Sequence, residues 1–75
     1  MYEFDFEVVE KDNVSCLVKV NDNLISVEYD GFEYDYCIVE YNDDNKLEYV
    51  SEVNEKYNDK ECEYVLSKIY KDYLN

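Results

Sequence analysis

Twenty Asp and Glu, three Cys and ten Tyr are the side chains of this 75-residue chain that could do chemistry, and the only cations are seven Lys. There is no His and no Arg. Carboxylates can move protons, hold hard cations or face a basic surface. Proton transfer near neutral pH is mostly the work of His, and an exposed carboxylate pair such as Glu33 and Asp35 is poorly tuned for it. Cys16, Cys37 and Cys62 have no His partner, and no Ser sits in a nucleophile elbow. The single glycine, Gly31, cannot build a phosphate-cradling loop. No catalytic residue is assigned and no enzyme is expected.

Metal chemistry fares no better. Asn42, Asp43, Asp44 and Asn45 offer oxygen ligands but read as a polar turn. A calcium loop built on Glu28, Asp30 and Gly31 would need an acid at position 37, where Cys37 stands. Zinc lacks His and paired Cys. No metal and no cofactor is expected. Three widely separated cysteines do not make a disulfide framework. Cys16 and Cys62 read as small core residues, and Cys37 is the one candidate reactive thiol.

What remains is the charge itself, −13 overall. Phosphate binding needs cations, so nucleic acid is excluded as a direct partner, and an anionic membrane with it. The complement of such a surface is a basic protein surface. Residues 1–45 hold thirteen acids against two lysines, whereas residues 46–75 hold seven against five. On a strand, Glu3, Asp5 and Glu7 would lie about 6.6 Å apart in a row. That is of the order of the phosphate spacing along DNA, about 3.4 Å of axis per phosphate on each strand. Glu33 and Asp35 form a second row, with Glu28 and Asp30 leading into it. The plain alternative is the solvent side of a one-sided antiparallel sheet.

The elements that would position these residues follow from periodicity. Residues 2–10 alternate, with Tyr2, Phe4, Phe6 and Val8 on one face. Residues 14–20 form a second strand with Val14, Cys16, Val18 and Val20 inward. Residues 24–29 form a third, burying Ile25, Val27 and Tyr29. Asp30-Gly31 is the strongest hairpin signal. Residues 32–41 form a fourth strand, with Phe32, Tyr34, Tyr36 and Ile38 facing one way. Residues 46–53 alternate as a fifth strand, but Leu47, Val50, Val53 and Tyr57 also fit one side of a helix. Asn58 caps a helix over residues 59–74, with Glu61 completing a capping box. Cys62, Val65, Leu66, Ile69, Tyr73 and Leu74 make its apolar stripe. The expected fold is one α+β domain: an antiparallel meander of four or five strands with a C-terminal amphipathic helix on one face.

Tyr2, Tyr34, Tyr36 and Tyr70 are expected in the core or at its edge. Tyr29, Tyr41, Tyr49, Tyr57 and Tyr64 are too many to bury in so small a domain, and Tyr is favoured at interface centres. The acidic start at Tyr2, Glu3 and Asp5 does not read as a signal peptide, so none is expected, and no apolar run is long enough to span a membrane. A reducing cytoplasm is the expected compartment.

The alternation from Tyr2 to Glu10, the Phe32–Tyr41 segment rich in Tyr, Glu and Asp, and the lack of Arg and His give the chain a class resemblance. It resembles the small acidic inhibitors that phages encode against bacterial defence nucleases, including anti-CRISPR and anti-restriction proteins that mimic nucleic acid. These proteins share no motif, so no residue role is carried over. The resemblance implies an inhibitor, acting in the bacterial host cytoplasm, that occupies the basic nucleic-acid-binding surface of a defence nuclease or similar protein. The residues expected at that contact are Glu3, Asp5, Glu7, Glu28, Asp30, Glu33 and Asp35, with Tyr34 and Tyr36 beside them. The other reading is a structural or regulatory module that binds another protein, or a second copy of itself, through its sheet edge or tyrosines.

Overall fold

A computed structural model describes residues 3–74. Five strands run β1 Phe6–Lys11, β2 Ser15–Val20, β3 Asn23–Tyr29, β4 Tyr34–Tyr41 and β5 Leu47–Glu52. They form one antiparallel sheet in chain order. A short helix α1, Val53–Lys56, leads to α2, Asp59–Ile69, and a π-helical turn covers Tyr70–Leu74. The expected α+β meander with one C-terminal helix is the architecture found, with five strands. Among the described residues no helix is long and apolar enough to cross a membrane.

Each turn is closed by a side chain suited to it. Asp12 Oδ1 accepts from the backbone N–H of Val14 and Ser15, at 2.9 and 2.8 Å. Asn21 takes a left-handed φ of 54° between β2 and β3, and Asn45 one of 61° between β4 and β5; Asn tolerates that region better than most residues. Asn42 Oδ1 binds the N–H groups of Asp44 and Lys46, both at 2.9 Å. Asn58–Asp59-Lys60-Glu61 forms the anticipated capping box. Asn58 Oδ1 accepts from Glu61 N–H at 2.9 Å, and Glu61 Oε1 accepts from Asn58 N–H at 3.0 Å.

The helix expected over 59–74 gives way after Ile69 to the π-helical turn, and three further boundaries differ by more than a residue or change an element's reading. The first strand begins at Phe6, because its partner β2 ends opposite it at Val20 and turns away at Asn21. Asp5 is instead held by Asn21, whose side chain accepts from its N–H and whose N–H donates to its carbonyl. Tyr2 lies outside the described residues. The fourth strand begins at Tyr34, because Asp30 Oδ1 takes the N–H groups of Phe32 and Glu33 at 2.8 and 2.9 Å. Phe32 therefore stands in the turn, 96% exposed, and not in the core. The ambiguous segment holds both patterns in sequence. Alternation carries β5 to Glu52, after which Val53 and Tyr57 turn inward from α1 and its end, both buried.

The main core lies between α2 and one sheet face. Val18, Val20, Ile25, Val27 and Ile38 meet Val53, Tyr57, Val65 and Ile69, and Phe4 and Phe6 pack on its edge. Each such aliphatic side chain contributes about 1.5–3 kcal/mol by leaving water. Tyr57 keeps its hydroxyl satisfied by accepting from Asn23 Nδ2 at 3.1 Å.

Among the described residues no helix lies over the other sheet face. Register places Lys19, Leu24, Val39 and Tyr49 in one cross-strand row there, and Leu17, Ser26, Cys37 and Glu52 in the next. Leu17 and Val39 are nonetheless only 4% and 8% exposed. Leu47 lines one cavity with Leu17 and Ser26, although β5 and β2 would be about 14 Å apart in a flat sheet. The sheet therefore curls over this face, helped by irregularities in the pairing at Val8/Glu10 and Ile38/Val39.

Candidate functional site

The acids converge at the β3–β4 end of the curled face. Glu28 and Asp35 are direct register partners. Asp30, Glu33 and Asp35 are all exposed, with carboxylate oxygens within 4.8 Å of one another. The geometry follows from the turn. Gly31 at φ +99° lets the chain reverse, and Asp30 N–H donates back to the Glu33 carbonyl at 3.1 Å. The N–H groups of Glu33 and then Phe32 hold the Asp30 carboxyl below its ordinary range, so it stays charged. Such a trio could meet a hard cation through oxygen ligands or the Lys and Arg side chains of a protein.

Glu28, Asp30, Glu33 and Asp35 are thus brought together as one patch. Glu7 stands apart on β1, opposite Lys19. Glu3 and Asp5 are exposed but precede the strand, so the anticipated row of three strand carboxylates does not form. Of the four acids, Asp35 lines an open cleft with Tyr34 and Tyr36, and Glu52 of β5 joins it. Alternation along β4 turns the two tyrosines to the helix face, against the core. Tyr34 packs its ring against Tyr29 at 5.0 Å and Tyr70 at 5.8 Å. Burial, with Tyr34 and Tyr70 nearby, pushes the Tyr36 phenol up. A further aromatic at this end is Phe32, fully outward at the tip of the same hairpin.

Cys37 sits half-buried on the curled face. Burial first, and then the charges of Glu52, Glu28 and Asp35, push its thiol up. That environment disfavours the thiolate, which removes the basis for a reactive cysteine. Cys16 is in the core as expected, Cys62 packs at its edge, and all three cysteines are free.

Behind this end lies an apolar centre that the alternation pattern did not anticipate. Leu17, Leu24, Cys37 and Val39 occupy positions where a one-sided sheet would place polar residues. Their signal was present as unbroken apolar runs: Cys16-Leu17-Val18, Leu24-Ile25 and Cys37-Ile38-Val39. Such runs mark strands covered on both faces. Tyr41, Leu47 and Tyr49 continue the patch outward at 47%, 41% and 62% exposure.

The lysines mostly lie elsewhere. Lys60, Lys68 and Lys71 belong to α2 and the following turn, where they share a shallow cleft of about 620 Å³ with Glu63, Tyr64 and Asp72. Lys68 pairs with Asp72 at 2.7 Å and lies 5.5 Å from the Phe6 ring centre. Lys11 donates to the Tyr73 carbonyl on the helix side. On the curled face Lys19 stands directly opposite Glu7. Compared with protein families, curated proteins and solved structures, the chain matches none.

Proposed function

We propose that this chain is an acidic protein-binding inhibitor. Its curled sheet face and β3–β4 hairpin occupy a basic, nucleic-acid-binding surface of another protein, such as a bacterial defence nuclease. The observation that carries the reading is the patch of Glu28, Asp30, Glu33 and Asp35 on one end, with Lys60, Lys68 and Lys71 on the helix side. A field of one sign concentrated on one surface steers an oppositely charged partner and disfavours wrong ones. Charge alone would make such binding loose. Phe32, 96% exposed on a turn held by three hydrogen bonds, adds an aromatic anchor at the same end.

The test is capture by the tagged chain from a nuclease-treated bacterial lysate at about 0.1 M and about 0.5 M salt, which screening separates. The expected catch is a basic nucleic-acid-binding protein that is released at high salt and by competing DNA. The double variant Glu28→Lys, Asp35→Lys should lose it. A catch that ignores both salt and charge reversal would defeat the proposal.

A further inference from the structure

We propose that the apolar centre of the curled face is a seat for a bulky aliphatic or aromatic side chain on a lysine- or arginine-rich segment of the partner. This rests on the protein-binding reading above and specifies the chemistry of what is bound. The floor is Leu17 and Val39, which belong to no part of the core under α2. A cavity of about 260 Å³ opens beside Leu17, with Leu17 and Leu47 supplying its apolar side, Ser15 and Ser26 between them, and Glu10, Asp12 and Glu28 outnumbering the one cation, Lys11, around it. At the far end, the β4–β5 turn brings Asp43 and Asp44 into a second cleft with Tyr41, while Glu40 and Glu48 of that cleft alternate to the opposite sheet face. An apolar centre between two acidic ends is the anatomy of a protein interface, with a dry middle and a charged rim.

The charges choose the occupant. Acids at both ends call for cations on both sides of whatever residue fills the middle. A second copy would set its own acidic ends against these, with −13 on each chain, and like charges across an interface oppose association. An apolar segment without cations would leave the rim carboxylates unpaired.

The experiment titrates the full ¹⁵N-labelled chain with a synthetic peptide carrying lysines on both sides of a Leu-Ile-Leu centre. The comparison probe is the same peptide with a Ser-Ser-Ser centre. The expected result is shifts at the amides of Leu17, Ser26, Cys37, Val39 and Leu47, with the serine peptide bound at least about tenfold more weakly, since losing one seated aliphatic side chain already accounts for that factor. Leu47→Asp should abolish the difference between the peptides. Tyr49→Ser, at a still more exposed position, should reduce it if the first variant does not fold. Equal binding of the two peptides, shifts confined to the acidic turns, no binding of either, or a dimer by light scattering that buries this face would each overturn the seat. The two readings separate cleanly. If lysate capture survives Leu47→Asp but not Glu28→Lys with Asp35→Lys, the charge-led function stands and the seat falls.

Discussion

Replacing Phe32 by Ala separates folding from binding at one residue. The side chain is 96% exposed, and the turn around it is held by Asp30 through backbone groups. Its loss removes no packing, so unfolding free energy should change by less than about 0.5 kcal/mol, as for ordinary surface positions. Burying a Phe side chain in a partner is worth about 1.5–3 kcal/mol, and about 1.4 kcal/mol is tenfold in affinity. Partner binding should therefore weaken by about 10- to 100-fold. Urea unfolding followed by circular dichroism measures the first quantity, and interferometry against the captured partner the second. Asp30→Asn is the companion variant. Asn can still accept the two N–H bonds, so the turn keeps its shape while one charge goes, and the affinity loss should be smaller at high salt. If Phe32→Ala lowers stability by more than about 1 kcal/mol, the ring is packed and the exposure argument is wrong. If stability and affinity are both unchanged, Phe32 is no anchor.

Other outcomes follow from the fold. Ile25→Ala, at a position with no exposure in the main core, should cost about 2–5 kcal/mol out of the total of about 4–11 kcal/mol expected for a chain this long, and would show as a large drop in urea midpoint. Asn58→Ala removes one bond of the capping box outright and should cost about 1 kcal/mol on the same assay. Burial pushes up the thiols of Cys16, Cys37 and Cys62 and the phenols of Tyr36 and Tyr57. Above about pH 8.5 for thiols and about pH 10 for phenols, the unfolded chain releases protons that the folded chain retains. Stability should accordingly be intact near neutral pH and fall as pH rises through that range, and a flat urea midpoint between pH 7.5 and pH 10 (roughly the ordinary thiol-to-phenol window) would refute the burial. The same thiols should react with DTNB more slowly than a model thiol near neutral pH, and Glu52→Gln should speed Cys37.

Much of the fold was legible because local signals and burial agreed. Val18, Val20, Ile25, Val27 and Ile38 sit on the period-two positions that face α2, and Asn58 with Glu61 announces the helix start. The site was less legible. Phe32 looked like a strand residue because alternation takes no account of Asp30, whose side chain captures two N–H groups and delays the ladder. Glu3 and Asp5 looked like strand residues because the length of the partner strand is a property of β2, not of their own segment. The second apolar face was written in the Leu17 and Val39 positions. Reading it required giving the unbroken runs more weight than the alternation they interrupt.

The order of the strands also bears on how the chain comes together. Every strand pairs with the one made just before it, so each hairpin can close as soon as its second half exists, and closure of nearby segments is the fast route to a folded chain. The contacts that reach from the beginning to the end, Phe4 and Phe6 against Tyr64 and Lys11 against the Tyr73 carbonyl, form only when α2 and the turn after it arrive. Once the strands are free to pair, the sheet and its acidic hairpin can take shape by short-range closures, and α2 docks on them last and buries the face they share.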